Sequence, residues 1–179
     1  TIYTITDNNE VKSELENSSN KKTIANIINN NVYNLNGEGA GDVSNHLLQI
    51  NTEKFNAINE DCIPTHIASV KDTPFDFIDF HTIGERINAD NLQIKNGTGY
   101  DHTYAFDKGV SAIPELEATA IGDISGVKME VYTTEPGIHF YTGNFMQGMH
   151  RFKGGALDGQ RTAFCLETQH YPNSPHDPS

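Results

Sequence analysis

Short runs in which apolar and polar residues alternate dominate this sequence, and they constrain its fold more than any other feature. Residues 2–6, 115–121 and 163–169 all follow this pattern. A period of two places successive side chains on opposite faces of a β-sheet, whereas an amphipathic helix needs a period near 3.6. The sequence contains no helical pattern of useful length, so it predicts an all-β chain.

The number and spacing of these runs predict an antiparallel β-sandwich or a barrel. About eight to ten short strands with turn residues between them are typical of such folds. Candidate strands lie within residues 2–6, 21–35, 46–58, 65–77, 102–106, 115–121, 127–134, 138–145 and 162–171. One short helical turn is predicted within residues 80–87. The 179 residues contain no flexible linker, which indicates a single domain over residues 1–179.

The charge balance limits the classes of partner. The chain carries a formal net charge of −12 at neutral pH. An acidic surface repels phosphate backbones and anionic lipids, so neither nucleic acid nor a membrane surface is an expected partner. A neutral ligand such as a sugar meets no such repulsion.

The cysteines and histidines match no metal-binding or nucleophile motif. Cys62 and Cys165 belong to no Cys-x-x-Cys pair, so we expect two free, buried thiols in a cytoplasmic protein. None of the eight histidines falls in a His-Glu-x-x-His motif or in a Cys/His zinc spacing. The sequence therefore predicts no metal site.

Three polar residues stand in strand-like surroundings and are the candidates for a functional site. Asp101 begins a candidate strand, His139 lies between Ile138 and Phe140, and Glu167 lies in the last run. The alternatives are a solvated aspartate, a core histidine with satisfied hydrogen bonds and a glutamate that faces water. Alternation places Glu167 on the face of the last strand opposite to Leu166, which does not decide between these interpretations.

Six motifs follow one another along the chain. They read "IINNNVYNLNG", "VSNHLLQI", "CIPTHIASVKDTPFDF", "GYDHTYAF", "EVYTTEPGIHFYTGNF" and "FCLETQHYPNSP". Together they resemble the aldose 1-epimerase (galactose mutarotase) family, in which four of the stretches read TNHTYFNLNG, GYDHNFVL, VYTTxPGxQxYTGNF and CLETQxxPDSP. The resemblance extends over the whole chain and rests on the order of all six motifs.

The resemblance implies a large antiparallel β-sandwich that needs no cofactor and interconverts the α and β anomers of a free hexose such as galactose or glucose. It implies that Glu167 is the general base and that Asp101 holds sugar hydroxyl groups. His139 stands where the family has a substrate-contacting glutamine. The general acid of the family, a histidine, aligns with Asn30, or with Asn31 if one residue is deleted after Tyr33.

Three hypotheses follow from this resemblance. The retained Glu167 and Asp101 favour an aldose 1-epimerase, whereas the asparagine at the acid position favours a related protein that binds sugars without turnover. The family usually has about twice this length, above the ~150 residues of a typical domain. The third hypothesis is therefore a fragment of a longer sandwich that works with a complementary polypeptide segment, the part before Thr1 carrying a second histidine and an arginine of the site.

Overall fold

The computed structural model describes residues 1–176 and contains eleven strands and one helix. The elements are β1 (Ile2–Ile5), β2 (Val11–Glu14), β3 (Leu47–Ile50), β4 (Lys54–Ile58), β5 (Pro64–Ser69), β6 (His81–Thr82), α1 (Leu92–Gly97), β7 (Asp101–Ala105), β8 (Glu115–Ile121), β9 (Lys128–Thr133), β10 (Gly137–Tyr141) and β11 (Cys165–Gln169). The last three residues of the predicted domain, 177–179, lie outside the described part.

Two antiparallel sheets enclose the core, which confirms the predicted all-β sandwich. One sheet has the strand order β11-β10-β7-β4-β5, and the other has the order β6-β3-β8-β9. Alternate residues of both sheets point inward, among them Leu48 of β3, Tyr104 of β7 and Phe140 of β10, which are fully buried. The opposite face of the five-stranded sheet carries the polar residues of β7, β10 and β11.

Aromatic rings fill the centre of the core. Tyr100 and Phe140 stack with their ring centroids 5.2 Å apart, and Phe77 packs edge-on against both. Such pairs stabilise a core beyond the area that they bury. This aromatic layer lies directly beneath the polar face of the five-stranded sheet.

The prediction of a strand within residues 21–35 is wrong except for one bridge. Tyr33 pairs with Phe164, and no regular strand precedes it. The segment runs beside β11, and side-chain amides make the contacts that a strand would make through its main chain. Asn26 accepts a hydrogen bond from the His170 amide and donates one to the His170 carbonyl. Asparagine side chains compete with ladder formation in this way, which explains the missing strand.

The helical prediction is also wrong in position. Residues 81–82 form the short strand β6, and turns follow it. The helix α1 lies further along the chain, where the side chain of Asn91 accepts a hydrogen bond from the Gln93 amide and caps its first turn. None of the helices among residues 1–176 is long enough and apolar enough to cross a membrane.

The prediction for the cysteines is half correct. Both thiols are free, and Cys165 is buried, but Cys62 is exposed. Cys62 lies in a turn with a backbone φ of 60°, and its amide hydrogen-bonds to the carbonyl of Asn59. Turns remain at the surface because their backbone groups need water or local partners, so this cysteine cannot enter the core.

None of the first 28 residues belongs to the buried core of the sandwich. All of them are exposed except Thr6, which is half-buried. Strands β1 and β2 pair with each other and with no other strand of the described chain. Ile2, Ile5 and Val11 are 59%, 82% and 71% exposed. An isolated two-stranded hairpin is marginally stable in water. The exposed apolar side chains of the β1–β2 hairpin are therefore available for contacts with another polypeptide segment.

Candidate functional site

The pairing of three adjacent strands brings the predicted residues onto one face. In the antiparallel register, His139 of β10 pairs with Glu167 of β11 on one side and with Thr103 of β7 on the other. Two residues further along, Tyr141 pairs with Asp101 of β7. Directly paired residues and residues two apart share a face of the sheet. Glu167, His139 and Asp101 therefore form one cluster on the side opposite the core.

His139 is held by two hydrogen bonds from neighbouring strand β7. Its Nε2 lies 2.8 Å from Oδ1 of Asp101, and its Nδ1 lies 2.9 Å from Oγ1 of Thr103. A carboxylate can only accept, so Nε2–H donates to Asp101; in the neutral ring, Nδ1 then accepts from the Thr103 hydroxyl. Both side chains of the His139–Asp101 pair are 19% exposed, so a ligand on this face can reach them.

Glu167 occupies a buried position and is not the outward carboxylate that alternation alone allows. It is only 5% exposed. Burial raises the pKa of its carboxyl group above the ordinary value, and the nearby Asp101 adds to this effect, while His139 opposes it. A carboxylate with a raised pKa accepts a proton more readily than an exposed one, which is the property that a general base needs near neutral pH.

Asn30 reaches the same face from the segment beside β11. Its Oδ1 lies 3.6 Å from Sγ of Cys165, which precedes Glu167 by two residues on the same side of β11. Burial and the adjacent Glu167 raise the pKa of the Cys165 thiol to about 12, so Cys165 stays protonated and donates this weak bond. Asn30 itself is exposed. The structure thus places all four candidate residues around one surface.

The turn that leads into β7 is fixed by a buried amide. The Asn144 side chain, 4% exposed, donates to the carbonyl oxygens of Gly97 and Tyr100 and accepts from the Thr142 hydroxyl. Gly99 has a φ of +132°, and a Cβ there would lie 2.4 Å from the Asn144 side-chain oxygen. Asn144, in the motif "YTGNF", is therefore hydrogen-bonded to the turn before and within the motif "GYDH". These bonds fix the main chain just before Asp101, where β7 begins.

Sequence reasoning missed two residues of this face. Thr103 and Tyr141 lie on the same side as Asp101 and His139, two positions along their strands. The alternation contained this signal, since residues i and i+2 share a face. Which strands are neighbours was not contained in it. Among residues 1–176, no group of three or more His, Cys, Asp or Glu side chains is arranged to hold a metal ion.

Comparisons with known proteins agree with this architecture. Residues 1–179 match the family model described as aldose 1-epimerase. The chain is 36% identical to galactose mutarotase of Bos taurus over 181 residues, which cover 99% of this chain and 51% of that protein. It is 32% identical to aldose 1-epimerase of Escherichia coli over 178 residues, which cover 98% of this chain and 50% of that protein.

The fold comparison gives the same result. The crystal structure of galactose 1-epimerase from Lactobacillus acidophilus superimposes with a TM-score of 0.69 and 29% sequence identity, over 86% of this chain and 42% of that chain. The chain thus spans about half the length of the curated relatives that it matches.

The burial of Glu167 predicts a pH-dependent effect on stability. A carboxyl group whose pKa is raised in the folded state stabilises the fold fully below its unfolded-state pKa, and this contribution is lost as the pH rises through the folded-state pKa. Glutamine stays neutral. We expect the free energy of unfolding of Glu167→Gln, relative to that of wild type, to be higher at pH 7 than at pH 4. Urea unfolding at both pH values measures this difference. An equal difference at the two pH values would contradict the buried environment of the carboxylate.

Proposed function

This chain belongs to the aldose 1-epimerase family, and we propose that its polar sheet face interconverts the α and β anomers of a free hexose, with Glu167 as the general base. The observation that carries this proposal is the buried Glu167 in register beside the hydrogen-bonded His139–Asp101 pair. Relatives named galactose mutarotase make galactose the first substrate to test, with glucose as the second.

The reaction requires few protein groups. Opening a pyranose ring removes a proton from the anomeric hydroxyl and adds one to the ring oxygen. Glu167 takes the first proton, and a solvent water supplies the proton of the ring oxygen, because Asn30 cannot transfer one. The free aldehyde then rotates about the bond to its neighbour carbon, and the ring recloses on the other face as the ring-oxygen proton returns to water. Glu167 then returns the proton. No electron pair leaves the sugar, so the proposal needs no redox cofactor.

Asp101 and His139 are proposed to hold the sugar. One carboxylate oxygen of Asp101 accepts from His139, and a carboxylate has further lone pairs for the hydroxyl groups of a hexose. A hydroxyl that bonds to an ionised oxygen is held more firmly than one that bonds to a neutral acceptor. A neutral sugar also suits a chain with a net charge of −12, which would repel a sugar phosphate.

Asn30 supports the alternative proposal of a sugar-binding protein without turnover. It aligns with the family's acid, a place that Asn31 takes if one residue is deleted after Tyr33, and it contacts Cys165 at the edge of the face. An amide donates a hydrogen bond to a ring oxygen but cannot transfer a proton to it. Glu167 favours the enzyme, because binding alone needs no buried carboxylate that accepts protons. The two free thiols support a cytoplasmic location for either protein.

The exposed first 28 residues support a further proposal, that a complementary polypeptide segment covers the β1–β2 hairpin. Ile5 and Val11 form a cross-strand pair in register, and both are exposed. Exposed apolar surface of this kind marks a contact site more often than a finished exterior.

The first activity prediction concerns the base. Glu167→Gln is expected to lower the catalysed rate by about 10²- to 10⁴-fold, the usual contribution of a positioned proton acceptor. Polarimetry of freshly dissolved α-galactose measures this rate. Glu117→Gln is the matched control, since Glu117 is also buried and also has a pKa raised by burial, but it lies in β8 of the other sheet. An active Glu167→Gln variant would show that the base is another residue.

The second activity prediction concerns the acid. Asn30→His is expected to raise the catalysed rate at pH 6 to 7 by about tenfold or more, because an imidazolium at this place donates a proton and not only a hydrogen bond. The same polarimetric assay measures it, and Asn29→His provides a neighbouring substitution for comparison. An unchanged rate in an active protein would mean that Asn30 does not face the ring oxygen.

The hairpin predicts self-association of the isolated chain. Replacing both Ile5 and Val11 with lysine is expected to reduce the binding of a hydrophobic dye and to shift sedimentation towards the monomer, because it removes the exposed apolar pair and adds charge. A wild-type chain that is monomeric and binds no dye would argue against a polypeptide segment that covers the hairpin.

A further inference from the structure

His102 is a buried polar residue that the proposed mechanism leaves without a role. It lies between Asp101 and Thr103 on β7, but its side chain points to the core and is fully buried. Its ring packs against Phe75, with 4.5 Å between the centroids, and against Phe55. Within residues 1–176, its Nε2 has no hydrogen-bond partner. A phenyl ring would fill this place without burying an unpaired N–H, so the histidine needs an explanation.

The other ring nitrogen of His102 provides that explanation. The main-chain amide of Asp101 donates a hydrogen bond to Nδ1, with 3.1 Å between the nitrogens. Nδ1 therefore carries no proton, and the neutral ring holds its proton on Nε2 among the aromatic rings. Burial lowers the pKa of His102 to about 3, and the neighbouring His139 adds to this effect. The ring is thus neutral near pH 7, and Nδ1 remains an acceptor.

Asp101 needs such an anchor because the ladder on one side of β7 ends early. Strands β4 and β7 share one registered pair, Phe55 with Tyr104. Further along β4, the main chain of Ile58 bonds to the Gln93 side chain in α1 and not to β7. Close packing reinforces the anchor, since a Cβ on Gly97 would lie 3.0 Å from Cε1 of His102 and 3.3 Å from Cβ of Asp101.

We infer that His102 is a positioning residue that fixes the main chain of Asp101 and thereby aims its carboxylate at the sugar hydroxyls. The side chain of Asp101 is held by His139 from β10, and its amide is held by His102 from below the sheet. His102 thus acts through Asp101 without touching the sugar. This inference rests on the proposed role of Asp101 in sugar binding.

The test measures galactose binding by NMR titration in variants of the full chain. His102→Phe keeps the ring volume but removes the acceptor, so we expect the dissociation constant to rise about fivefold to tenfold, the effect of one hydrogen bond. His102→Asn places an amide oxygen near the position of Nδ1 and is expected to recover most of the affinity. His102→Phe should add nothing to the loss in Asp101→Ala, because the two residues act as one unit.

Tyr104→Phe is the matched control, because it alters the next core-facing residue of β7 and removes a buried hydrogen bond to the Phe75 carbonyl. We expect it to lower stability and to leave galactose affinity unchanged. If His102→Asn does not fold, His102→Gln replaces it, since its side-chain amide oxygen can also accept from the Asp101 amide. That variant is likewise expected to recover most of the affinity.

The outcomes separate this inference from the proposed function. Wild-type affinity in His102→Phe, or equal losses in His102→Phe and Tyr104→Phe, would overturn the positioning role. A wild-type chain that neither binds nor converts galactose would overturn the proposed function instead. The amide resonance of Asp101 then still reports the contact: we expect it to shift in His102→Phe and to return towards wild type in His102→Asn. An unmoved resonance would overturn the inference by itself.

Discussion

The antiparallel pairing of β10 with β7 and β11 is the constraint on which the whole site depends. It places Glu167, His139 and Thr103 in one row, and Asp101 one step further along the same face. A slip of one residue in either pair would turn one member of the row into the core. The register is held from both sides: the aromatic layer lies below it, and the Asn144 hydrogen bonds fix the turn before β7.

The same burial that holds the sheet together also sets the chemistry of its polar face. Cys165 and Gln169, which flank Glu167 on the same face of β11, are buried as well, so water has little access to the Glu167 carboxylate. Removing water raises the affinity of this carboxylate for a proton and the pKa of the nearby thiol. One desolvated surface therefore contains a group suited to proton transfer and a cysteine that stays inert. His139 and Asp101, which are more exposed, remain available to a ligand.

His102 and His139 lie on opposite faces of the same sheet and make different kinds of contact. His139 is half-buried and bonds through both nitrogens to β7, so it belongs to the polar network. His102 is fully buried and bonds to the main chain through one nitrogen. Neither role is visible from composition, because it depends on which side of the sheet the ring enters. On the polar face, His139 pairs with Glu167, and Asn30 contacts Cys165.

The sequence by itself determined the fold class, most strand positions and the polar candidates Asp101, His139 and Glu167, because alternation with a period of two is a local property of the chain. It did not predict the strand β2, Val11–Glu14. It failed at residues 21–35, where asparagine side chains replaced a ladder that the pattern indicated, and at residues 80–87, where the apolar spacing was too short to separate a turn from a helix. Only the tertiary structure decided that Glu167 is buried, that His139 bonds to Asp101 and that His102 accepts a hydrogen bond from the Asp101 amide. Those facts depend on which strands become neighbours and on what packs above and below them, and such long-range contacts leave no periodic signal in the sequence.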